Sequence, residues 1–96
     1  MASRIKIERS TGNVFSDLGF PPAEVENLKL RAQLMSKIRG VARGMTQAQA
    51  AKRFGVSQPR LNDLLRGKID KFSLDALVNM LGSAGLRIEL RVKAAA

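Results

Sequence analysis

The stretch Gln58-Pro59-Arg60-Leu61-Asn62-Asp63-Leu64-Leu65-Arg66 interleaves hydrogen-bonding side chains with leucines. Gln presents a carbonyl beside an amide, Arg a rigid fork of donors, and Asp two acceptor oxygens. These groups match flat hydrogen-bonding edges: Gln pairs with adenine N6 and N7, Arg with guanine O6 and N7, Asp with cytosine N4, and a proline ring touches a thymine methyl. They can do so only from one face. At about 100° per residue, setting Leu61, Leu64 and Leu65 inward puts Pro59, Asp63 and Arg66 on the opposite face, with Arg60 and Asn62 on its flanks and Gln58 at the leading end. Gln58 and Arg60 are the strongest candidates for base edges. Asp63 either reads a base or orients Arg60 or Arg66 by a charge-assisted bond. Any one of these alone would be read as solvated helix surface; their placement on a particular two-helix unit changes that reading.

That unit spans residues 46–65. In Thr46-Gln47-Ala48-Gln49 the Thr46 hydroxyl can accept from the third helical amide while Gln49 reaches back to the Thr46 amide, a capping box that starts a helix. The helix passes through Ala50, Ala51 and Phe54 and stops at Gly55, which supplies a positive φ for a tight turn. Ser57 can cap the next helix, and Pro59 is tolerated in its first turn, where no intrahelical partner awaits the missing N–H. Ala51 is small where the helices approach, and Val56 fills the corner beneath the turn. Gln47, Arg66 and Lys68 flank the outward face and suit phosphates; Lys52 and Arg53 either touch a phosphate backbone or sit on a solvated face.

Around this unit, residues 23–43 read as an amphipathic helix, with Leu30, Leu34, Ile38 and Val41 on a stripe beside Met35 and Ala42. Lys29, Lys37 and Arg39 fall elsewhere, Gly40 threatens to shorten the last turn, and Gly44 ends it. A further helix begins at Ser73, with Asp75 at its positive end, carries Leu74, Leu77, Val78 and Leu81 inward, and closes at Gly85. Leu86, Ile88, Leu90 and Val92 then alternate with Arg87, Glu89, Arg91 and Lys93, which reads as a half-buried strand over 86–93. One strand needs a neighbour, either the alternating segment 4–8 or the same strand of a second copy. Both at once are expected, with a symmetric antiparallel pairing joining two copies about a two-fold axis. The four apolar residues Leu86, Ile88, Leu90 and Val92 are therefore the dimerisation candidates. Val14, Phe15, Leu18 and Phe20 form an apolar cluster ahead of Pro21-Pro22, read as packing onto the body, with partner binding as the alternative.

With 96 residues there is room for one core, divided as an N-terminal arm (1–22), a helical domain (23–85), the strand (86–93) and a tail (94–96). No cysteine and no histidine occur. Thiolate and imidazole chemistry is absent, so the usual metal sites, cofactor attachments and catalytic triads are not expected, nor is an enzyme. Seventeen Lys and Arg against eight Asp and Glu give a net charge of +9, which favours polyanionic partners. No apolar run resembles a signal peptide or a membrane span, so a soluble, cytoplasmic protein is expected.

The run Thr46-Gln47-Ala48-Gln49-Ala50-Ala51-Lys52-Arg53-Phe54-Gly55-Val56-Ser57-Gln58-Pro59-Arg60-Leu61-Asn62-Asp63-Leu64-Leu65-Arg66-Gly67-Lys68 resembles the Cro and lambda-repressor-like helix-turn-helix family, also called the XRE family. The resemblance implies a mainly α bundle of four to five helices, dimeric binding to a double-stranded operator, base contacts from Gln58 and its neighbours, and a phosphate contact from Gln47. Gly12-Asn13-Val14-Phe15-Ser16-Asp17-Leu18-Gly19-Phe20, the Phe72-Ser73-Leu74 helix start and the terminal strand resemble a HigA-like antitoxin subgroup. Its members are typically encoded beside a small RNA-cleaving toxin, neutralise it and repress the shared promoter. The leading expectation is thus a sequence-specific repressor of antitoxin type. The alternative is an interaction module whose main task is covering a toxin. RNA binding is disfavoured by four Phe with no Tyr or Trp, which leaves little to stack on unpaired bases.

Overall fold

The computed structural model describes the backbone of residues 4–6 and the whole of residues 19–94. In chain order these form β1 (Arg4–Lys6), α1 (Pro22–Ala42), α2 (Gln47–Phe54), α3 (Gln58–Leu65), a single 3₁₀ turn (Ile69–Lys71), α4 (Leu74–Ser83) and β2 (Arg87–Glu89). The mainly helical bundle implied by the resemblance is the observed architecture, with four α-helices among the described residues.

Pro22 occupies the first helical position of α1, where its fixed φ suits the helix and its missing N–H costs nothing. Leu34, Met35, Ile38 and Ala42 are buried as expected, while Leu30 and Val41 are half-buried. Two assignments on α1 change. Lys29 is not on the open side: it is 7% exposed, because Val25, Leu28 and Lys29 share a face at the i, i+3, i+4 spacing. Its stem is buried and its Nζ reaches Glu26 at 3.9 Å, a lysine that buries its methylenes and keeps its head at the edge. Nor does Gly40 shorten the helix, which continues to Ala42. Ile38 and Ala42 bury the turn on either side of it, and that burial outweighs a propensity penalty of ~1 kcal/mol.

The core lies where the four helices meet. Phe54 from α2, Leu61 and Leu64 from α3, Phe72 from the following loop, and Leu77 and Leu81 from α4 are all at most 1% exposed against the α1 stripe. On α4 the inward set includes Met80, and Val78 is 43% exposed rather than buried. A step of about 100° sets Val78 at the margin of the face centred on Leu77 and Leu81.

β1 pairs with β2 in parallel, Arg4 beside Arg87, Ile5 beside Ile88 and Lys6 beside Glu89. The expected neighbour is therefore found within the chain, but β2 has three residues and not the span 86–93. Leu86 seals the helical core and Ile88 packs on it, whereas Leu90 and Val92 are 65% and 90% exposed. Alternation fixes which residues share a face but not how far a partner strand reaches. The apolar cluster at Val14, Phe15 and Leu18 lies outside the described residues; Phe20 is 38% exposed. Among the described residues no helix is long and apolar enough to cross a membrane.

Candidate nucleic-acid interface

Local chemistry sets the angle between α2 and α3. Thr46 Oγ1 accepts from the Gln49 amide at 3.1 Å while Gln49 Oε1 accepts from the Thr46 amide at 3.0 Å, completing the capping box. At the other end the Gly55 and Val56 amides donate to the Lys52 and Ala51 carbonyls, and Gly55 takes a φ of +69°. A β-carbon there would also lie 3.1 Å from Ser83 Oγ of α4. The dihedral favours glycine here, and the approach of the last helix leaves a side chain little room unless Ser83 gives way. Ser57 then caps α3, its hydroxyl accepting from the Arg60 amide at 3.3 Å, with Pro59 in the first turn.

Leu61 and Leu64 point into the core, with Leu65 half-buried, and this orients the rest of α3. Gln58, Pro59 and Arg66 are exposed; Asn62 and Asp63 are half-buried. The helix thus presents its leading end and outer face to solvent, as the leucine spacing predicts.

Arg60 is held and not free. Its guanidinium carbon sits 4.1 Å from the Phe72 ring centroid and its Nη1 donates to the Lys71 carbonyl at 2.8 Å. Asp63 orients neither Arg60 nor Arg66. Its Oδ1 lies 3.3 Å from Lys68 Nζ and its Oδ2 3.6 Å from Lys71 Nζ. Partial burial pushes its carboxyl pKa up, but the Lys68 hydrogen bond and the attraction of both ammonium groups outweigh this and hold it below its ordinary 3.8. The reason is positional: the chain folds back after α3, bringing Lys68 and Lys71 to the flank that the helix alone would leave to the arginines.

The return is built tightly. The Gly67 amide donates to Leu64 and the Lys68 amide to Asp63, closing α3 with Gly67 at a φ of +76°. From the α1 side, Arg31 Nη1 donates to the Ile69 and Phe72 carbonyls at 3.2 and 3.3 Å, and its Nε donates to Asn27 Oδ1 at 2.7 Å. Residues 69–72 are therefore pinned between Arg31 and Arg60. Arg31 and Lys71 were not singled out by sequence, and Phe72 only as part of a helix start; contacts between residues separated by 38 and 41 positions leave no local signal.

On α2, Gln47 stands exposed at the first position and Lys52 is exposed. Arg53 donates from Nε and Nη2 to the Ala84 carbonyl, both at 3.4 Å, so it anchors the end of α4.

Residues 14–93 match the model of the helix-turn-helix domain family. The chain belongs to this family. No curated protein matches it. As a helix-turn-helix domain it is a DNA-binding protein, and the match takes in both α2 and α3. The match takes in β2 and the loop after α3, so the braces around residues 69–72 belong to the helix-turn-helix domain and are no appendage.

Proposed function

We propose that this protein is a sequence-specific transcriptional repressor that inserts α3 into the major groove of its operator. The observation that carries this reading is the outer face of α3: Gln58 and Pro59 exposed at the leading end of a helix whose opposite face is locked by Leu61 and Leu64. Gln58, Pro59, Arg60 and Asn62 contact base edges in this reading, and Gln47, Lys52, Arg66 and Lys68 contact phosphates. Arg60 reaches the groove from its place against Phe72, which removes rotamer freedom before binding.

The protein binds as a homodimer in this reading, on half-sites about one helical turn, ~34 Å, apart, and excludes polymerase by occupancy. Ile88, Leu90 and Val92 at the chain end supply the dimer contact; Leu86 is buried within its own core. An antitoxin role fits the same surface. Leu90 and Val92 are apolar and exposed, which also suits capture of a small RNA-cleaving toxin, the second reading.

Titration against duplex DNA from upstream of its own gene, with a scrambled duplex as control and at two salt concentrations, tests the proposal. A preference of ~10³-fold or more, lost in Gln58→Ala plus Arg60→Ala while salt-sensitive background binding persists, supports direct readout. Equal binding to both duplexes by both proteins refutes it and favours toxin capture.

A further inference from the structure

Asp63 is the acidic residue of α3, and both of its oxygens are occupied: Lys68 Nζ lies 3.3 Å from one and Lys71 Nζ 3.6 Å from the other. The three side chains are 25%, 41% and 51% exposed, so the cluster faces solvent without being loose. Its two lysines come from separately braced positions. Lys68 follows the closing turn of α3, its amide bonded to the Asp63 carbonyl at 3.1 Å. Lys71 ends the 3₁₀ turn, where Arg60 holds its carbonyl and Arg31 holds the carbonyls of Ile69 and Phe72.

Two ammonium groups converging on two oxygens of one anion is also what a phosphodiester requires, since each non-bridging oxygen accepts a charge-assisted bond. A base-reading role would ask Asp63 to turn an oxygen toward cytosine N4, and so to give up one of these lysines. It would also put a carboxylate beside the phosphate backbone with its charge half uncompensated.

We propose that Asp63 is a tethered stand-in for a DNA phosphate: it holds Lys68 and Lys71 converged as a phosphate-binding pair and lowers the protein's affinity for every duplex by competing for them. It sets the strength of the sequence-independent term and reads no base. This rests on the DNA-binding role of α3 and adds Lys71 to the phosphate contacts.

The test compares wild type, Asp63→Asn and Lys71→Ala on a scrambled duplex and on the duplex from upstream of the gene, across a salt series, with melting temperature checking that each variant folds. Removing the competing carboxylate frees about one extra counterion exchange. Asp63→Asn then binds both duplexes about fivefold tighter at 0.15 M salt, with the slope of log K against log salt steeper by about one. Lys71→Ala shifts both quantities by similar amounts the other way. Asp63→Asn that leaves the scrambled duplex unchanged while weakening the upstream duplex makes Asp63 a base reader and overturns the proposal. Lys71→Ala with an unaltered slope overturns it too. A wild-type chain that binds no duplex overturns the DNA-binding role itself, a different result from wild-type binding that Asp63→Asn does not change.

Discussion

The Arg60 guanidinium carbon stands 4.1 Å from the centroid of the Phe72 ring, and the same group donates to the carbonyl of Lys71. A residue of α3 is thereby fastened to the segment that enters α4. The arrangement couples the outer face of α3 to the return of the chain toward α4.

Arg60→Lys keeps the charge and loses the planar fork, the stacking and the preset geometry. The expected result is a roughly tenfold or greater loss of affinity for the specific duplex, of the order of one bidentate base contact, with the scrambled duplex scarcely affected. Competition binding at fixed salt measures it. Unchanged discrimination would show that Arg60 only braces the loop.

Gln58→Ala separates base reading from phosphate binding. Gln58 is exposed at the first position of α3, so its removal leaves the core intact. Affinity for the operator should fall by ~1–3 kcal/mol with the salt slope unchanged, whereas Lys52→Ala should weaken all duplexes alike and reduce the slope by about one. Exchange of these two signatures would invert the proposed roles.

Gly55→Ala should destabilise the fold. It forces a β-carbon onto a residue at a φ of +69° and 3.1 Å from Ser83 Oγ. The dihedral alone costs ~1–2 kcal/mol, and a domain of this size loses about 4–8 °C of melting temperature per kcal/mol. Adding Ser83→Ala should restore only the steric part. Full recovery in the double variant would show that the dihedral is not limiting.

Gly40→Ala should act in the opposite direction. Gly40 is exposed within α1 and a β-carbon there meets nothing within 4 Å. The gain is ~0.5–1 kcal/mol from propensity and from a less flexible unfolded chain. A calorimetric scan showing a lower melting temperature would contradict the open geometry around that turn.

Acid should dissolve the Asp63 cluster. The folded carboxyl titrates below its ordinary 3.8 because Lys68 and Lys71 favour its charged form over the cost of burial. Stability from this group is therefore fully present above the unfolded value and lost as pH falls through the lower, folded one. Asp63→Asn should melt below wild type from pH 5 to 8, the gap closing once the pH drops beneath about 4. A gap that persists unchanged in strong acid would mean the ion pairs contribute nothing.

What the sequence by itself determined is local. Capping residues, leucine spacing and Gly55 are written within a few positions of the turns they make, so α2, the tight turn, α3 and the start of α4 were legible along with the outward set led by Gln58. Hydrogen bonds between near neighbours and a fixed angular step are enough to place them. The identity of the partners was not legible. That Asp63 faces Lys68 and Lys71, that Arg60 lies on Phe72, and that Arg31 ties α1 to the same loop depends on where the chain returns after α3. Likewise the alternation over residues 86–93 named an apolar face, but among the described residues the strand takes only Arg87–Glu89, and Leu90 and Val92 stand exposed after it. Charge pairing and strand length are decided by distances in space, which tertiary packing alone supplies.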